Sequence, residues 1–294
     1  MKHIIHPSKH KYIFAGTAAA AAYLGLWAAG SALAVYQTNR FWQISLAVFA
    51  FLIFLQVFIF DLHLKKSWSL KNLETRFEYL SVENHWLQFM NYLVLPSVLF
   101  WSTAALMFLA PFNETLKQTW MILGTLSLGV TFWYLKTVFL RHSEAPRLLR
   151  ELLFIAKLFA SYLAFAAALG LSKYFFSTSG TGAMFLDGTV FALSFVLMYQ
   201  ALFQHHDKPD VTLKFIIPIA MFLGACSYAV YFYWNVNFYS AALFLAALYN
   251  TAWGLMHHKY IDRDLTPKII YEYLAVLFVV LVILFSTTNF TEKI

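Results

Sequence analysis

Long apolar runs, broken by short polar segments, recur along the whole chain. Nine of them come close to or exceed the roughly 20 apolar residues that a membrane-crossing helix needs. They cover about 12–37, 41–62, 88–111, 119–140, 150–172, 184–204, 212–234, 238–257 and 269–288. Transmembrane strands would alternate apolar and polar positions over about ten residues. These runs are continuous instead. A helix also closes its backbone hydrogen bonds within one segment, as lipid requires. The pattern predicts an all-α, polytopic helical membrane bundle with nine transmembrane helices, residues 1–294 forming a single membrane domain.

The segments between the runs are short, with one exception at about 63–87. There Leu73, Phe77, Leu80 and Val82 alternate with Lys71, Glu74, Arg76 and Glu78, the spacing of a short amphipathic helix in the interface. Residues 173–183 hold Ser177, Thr178, Ser179, Gly180, Thr181 and Gly182 and predict a flexible exposed loop. The first run has two readings. Lys2, Lys9 and Lys11 precede it, and Ala32-Leu33-Ala34 ends it, as in a cleaved signal peptide. Its length and its small residues, Gly16, Ala18 to Ala22, Gly25 and Ala28 to Gly30, favour a retained helix that packs closely in lipid.

Composition narrows the class. Of the 294 residues, 61% are hydrophobic and 12% charged, with a mean hydropathy of +0.64. Soluble chains carry about twice that share of charge. A disordered chain, a collagen-like repeat and a disulfide scaffold are excluded by the same figures. The net charge of +7 suggests nucleic acid until its positions are read. One side receives Lys2, Lys9, Lys11, Lys65, Lys66, Lys71, Arg76, Lys136, Arg141, Arg147, Arg150, Lys157, Lys208, Lys214, Lys259, Arg263 and Lys268. The other receives Arg40, Lys117, Lys173 and Lys293. By the positive-inside rule the N-terminus is cytoplasmic and the C-terminus external. The partner is then the lipid bilayer and not nucleic acid. Cys226 is the single cysteine, so no intramolecular disulfide forms, and it is expected as a small buried hydrophobe.

The even-numbered runs end alike: Phe60-Asp61-Leu62-His63, Phe139-Leu140-Arg141-His142, Phe203-Gln204-His205-His206 and Leu255-Met256-His257-His258. Pro146, Pro209 and Pro267 follow the last three. The pattern suggests an internal repeat of two-helix hairpins; a shared grammar of interface residues is the alternative.

Polar groups at membrane depth are costly and mark candidate sites. Gln56, Asn91, Tyr134, Lys157, Tyr199, Gln200, Asn250 and Glu272 all fall in the cytoplasmic halves of their runs, with Lys136 and Tyr249 beside them. Facing inward, they would line a polar cavity open to the cytoplasm. Lys157 could instead snorkel, and the amides could bond neighbouring helices.

His142, His205, His206, His257 and His258 form a second set, at one face. Imidazoles with nearby carboxylates suit zinc or iron. Membrane di-iron desaturases and hydroxylases also carry histidines at the cytoplasmic ends of their spans. Their spacing is absent, because the pair four apart here is His6 and His10, in the N-terminal tail with Pro7 between. No phosphate loop, His-Glu-x-x-His or Gly-x-Ser-x-Gly motif occurs.

The leading expectation is transport or conduction of a small solute or ion through the polar cavity, with no cofactor. A histidine-rich metalloenzyme acting on a lipid-like substrate, with zinc or iron, is the second. A non-catalytic subunit of a larger membrane complex is the third. Self-association or membrane partner subunits are compatible with all of them.

Overall fold

The structure is a computed structural model and describes residues 10–59, 83–109, 114–140, 147–176, 180–203, 209–234 and 237–288. Among these, regular structure is entirely helical. The elements are α1 (His10–Ala34), α2 (Thr38–Ile59), α3 (Glu83–Leu109), α4 (Glu114–Leu140), α5 (Arg147–Phe176), α6 (Gly180–Phe203), α7 (Pro209–Tyr233), α8 (Phe238–His257), a π-helical turn (His258–Asp262) and α9 (Pro267–Thr287). Each α-helix coincides with one of the nine apolar runs.

Seven helices, α1, α2, α3, α5, α6, α7 and α9, are long and apolar enough to cross a membrane. The other two are diluted by polar residues: Lys117, Gln118, Thr125 and Thr131 in α4, and Asn250 and Thr251 in α8. Both lie against several helices of their own part of the chain: α4 against α1, α2 and α3, and α8 against α6, α7 and α9. Protein neighbours shelter polar side chains that lipid would reject. The contrast is α9, the most apolar at a mean hydropathy of 2.6, where Leu284 is the one buried residue.

The chain divides into two compact units, Met1–Lys157 and Leu158–Ile294. In the first, Phe14, Ala18, Ala22, Leu26, Ala29 and Leu33 form a buried stripe along α1 at helical spacing. The small residues draw the helices close. A Cβ on Gly25 would collide with the Val48 side chain of α2, and one on Gly124 of α4 with Thr103 of α3. Near the α1–α2 turn, Trp42 stacks on Trp101 with ring centroids 6.4 Å apart, and Phe49 on Phe100 at 5.8 Å. Helix α1 stops at Ala34, short of the expected 37. Tyr36 turns into the left-handed region at φ 58, and the amides of Tyr36 and Gln37 bond back to Leu33 and Ala32 at 3.0 and 2.9 Å. Thr103, Thr125 and Thr131 donate to carbonyls four residues back at 2.7–2.9 Å, so their hydroxyls are satisfied within their own helices.

In the second unit α6 and α7 pack along their lengths. Ala183, Leu186, Val190 and Ser194 of α6 face inward, as do Ala220, Leu223, Gly224 and Ser227 of α7. Asn237 caps α8, its side chain accepting from the Tyr239 amide at 2.8 Å. Thr266 caps α9, with Pro267 in the first turn.

The exposed loop expected at 173–183 is mostly helix: α5 continues to Phe176 and α6 begins at Gly180. Local partners account for the extension. Ser172 Oγ donates to the Gly182 carbonyl at 2.6 Å, and Lys173 Nζ to the Trp234 carbonyl at 3.0 Å. Most of the interfacial helix expected at 63–87 falls outside the described residues, and Glu83 begins α3. Cys226 is half-buried rather than buried.

Candidate functional site

Gln56 lies near the end of α2, four residues after Leu52 and eight after Val48, on the face that meets α1. Its side chain is fully buried, at 0% exposure. Among the described residues neither Nε2 nor Oε1 has a hydrogen-bond partner. An amide in that state costs about 1–3 kcal/mol per unmade bond. Tyr134 is half-buried in α4. Asn91 lies in α3, and its side chain is outside the described residues. Pro96 sits inside α3 and cannot donate the amide that would bond the carbonyl one turn back.

In the second unit Asn250 of α8 reaches α5. Its Nδ2 donates to Ser161 Oγ at 3.5 Å, and that hydroxyl donates to the Leu158 carbonyl at 2.8 Å. One turn along, Phe165 and Tyr249 meet edge to face at 5.8 Å. Gln200 of α6 is buried, at 2% exposure. Tyr199 stacks on Phe195, with centroids 6.0 Å apart. Lys157, the last residue of the first unit, is half-buried on α5, one turn before Ser161. Glu272 is exposed on α9, with Lys268 Nζ 3.9 Å away. Of the seven sequence-selected residues whose side chains are described, Gln56 and Gln200 are the most enclosed, and Asn250 is tied directly to another helix.

Of the histidine set, His142, His205 and His206 lie outside the described residues. His257 ends α8 and His258 opens the π-turn, their rings 6.0 Å apart at 79°. His258 Nδ1 lies 2.9 Å from Asp264 Oδ1, and its ring meets Tyr273 at 5.8 Å. Among the described residues no three histidine, cysteine or acidic side chains gather as metal ligands.

Sequence reasoning passed over Asp187, seven residues into α6. Its Oδ1 packs on the Gly224 backbone of α7, where a Cβ would collide with it. Among the described residues the carboxylate has no ion-pair partner. A lone acid in an apolar run was the available signal. Lys117, read in the sequence only as a basic residue of the external side, is buried at 4% exposure and paired with Glu114. Ser45 and Ser194 are fully buried hydroxyls without a partner among the described residues.

Long apolar helices, several of them turning polar groups away from the surface, define a multi-pass integral membrane protein. A family model described as "Protein of unknown function (DUF5656)" matches residues 19–287, and the chain belongs to that family. No curated protein and no solved structure matches it.

Proposed function

We propose that this protein moves a small polar solute or ion across the membrane, through a polar interior in the cytoplasmic half of the bundle. The observation that carries the proposal is Gln56: a fully enclosed amide whose donor and acceptor both lack a partner among the described residues. Buried polar groups without partners are rare, and each calls for a reason. A guest that hydrogen-bonds on its way through is such a reason. Two prolines add support, since helices interrupted near the membrane interior often frame a transporter's site. Pro96 lies inside α3 of the first unit and Pro218 inside α7 of the second.

In this reading all nine helices span, α4 and α8 included, as one membrane domain built of repeated hairpins. The N-terminus is cytoplasmic and the C-terminus external, as the distribution of Lys and Arg requires. Gln56, Asn91, Tyr134, Lys157, Tyr199, Gln200, Asn250 and Glu272 are the candidate path residues. No cofactor takes part.

The test is flux into proteoliposomes, offering sodium, potassium, protons and small neutral solutes in turn. One of them should enter faster than in protein-free vesicles. Gln56→Leu should slow that entry about tenfold, the loss of one hydrogen bond to the guest at roughly 1.4 kcal/mol. Equal flux in the variant, or none for any solute, would overturn the proposal.

A further inference from the structure

The turn between α8 and α9 breaks a local rule. Helix α8 does not stop at His257 but continues through the π-turn at His258–Asp262. Arg263 then closes it with φ 56, in the left-handed region. Glycine takes that conformation freely, while a residue with a Cβ is strained there. Strained positions of this kind cluster at active sites, ligand clamps and switch regions. Short π-helical insertions likewise concentrate at functional sites.

The turn is tightly built around that arginine. The Arg263 amide bonds the His258 carbonyl, and the Asp264 amide bonds the same oxygen at 3.1 Å. The Asp264 carboxylate is occupied by His258 Nδ1 at 2.9 Å. Arg263 itself is exposed and has no ion-pair partner among the described residues. Lys259, four residues earlier, is exposed too. Its ammonium lies over the rings of Phe215 and Tyr260, at 5.2 and 5.3 Å from their centroids. Those rings pack on each other at 4.7 Å and join the turn to α7. Aromatic side chains at a helix end mark the headgroup level of a bilayer. Two cations without an ion-pair partner among the described residues are therefore held at that level, one on an aromatic pair and one on a strained backbone.

We infer that Lys259 and Arg263 bind the phosphate of an anionic phospholipid headgroup at the α8–α9 turn. Arginine offers a planar fork for phosphate oxygens, and lysine adds a point charge. Basic residues just beyond a membrane helix attract anionic lipid. Asp262 is the opposing charge that lies between them in sequence, and the two cations outnumber it. The inference rests on the membrane character of the helices and is independent of transport.

The test is thermal unfolding of the full chain in detergent, with added phosphatidylglycerol, phosphatidylcholine or inorganic phosphate. Phosphatidylglycerol at about a hundredfold excess over its Kd should raise the unfolding temperature by about 5 °C. Phosphatidylcholine and inorganic phosphate should not. Arg263→Gly should lose most of that rise and yet unfold no earlier than the parent in phosphatidylcholine, because glycine relieves the backbone. Lys259→Gln should lose part of the rise, with the backbone unchanged. An undiminished rise in both variants, an equal rise with inorganic phosphate, or no rise in the parent would overturn the inference.

Discussion

Gln56 and Asn250 are two amides near the ends of even-numbered helices, one in each unit, and they end up in different states. Asn250 reaches across to Ser161 and makes a helix–helix hydrogen bond at 3.5 Å. Gln56 is more deeply enclosed and makes none among the described residues. The same chemical group thus serves as structural glue in one unit and stays available in the other. Both are side-chain amides in apolar helices, so what separates a packing amide from a candidate binding amide is the partner.

The largest effect should come from testing whether the second unit is filled by direct contact. Gly224→Val would drive a branched side chain into Asp187 and force α6 and α7 apart. It should cost about 1–3 kcal/mol, as overpacking does. Gly188→Ala, on the same helix as Asp187, meets nothing within 4 Å and should stay within about 0.5 kcal/mol of the parent. Unfolding in detergent by denaturant reads both. Similar losses in the two variants would show that the close approach at Gly224 is unimportant.

A smaller effect sharpens the role of Asn250. Asn250→Ala, Ser161→Ala and the double variant should give a coupling of about 0.6 kcal/mol, the usual worth of a hydrogen bond between membrane helices. A coupling near zero would return Asn250 to the same standing as Gln56.

The helices were largely legible in the sequence because lipid imposes long apolar runs, and each α-helix of the described residues coincides with one of the nine runs. Their ends were less legible. The run at 150–172 grew into a helix from Arg147 to Phe176 because Ser172 and Lys173 found carbonyl partners, which hydropathy cannot foresee. Two helices fall short of the apolar standard because they are sheltered by neighbours, and shelter is a tertiary property. The site was legible as a list of polar residues and not as a constellation. The Asn250–Ser161 bond joins residues 89 apart, and Glu272 came out exposed although its sequence context resembles that of the others. Asp187 went unread because the polar residues selected cluster toward the ends expected to be cytoplasmic, whereas it lies seven residues from the opposite end of its helix. The π-turn after His257 has no periodic signature, because its five residues are too few to show one.

The central claim is that the Gln56 amide faces a path that solutes can enter, and the chain's single cysteine makes it testable by thiol chemistry. In a Cys226→Ser background, Gln56→Cys should react with a small charged methanethiosulfonate added from the cytoplasmic side, and the transported solute should slow that reaction. A thiol at position 56 that stays unmodified, while one placed at the exposed position 259 reacts fully, would contradict the account and leave Gln56 as an orphaned amide in a dry core.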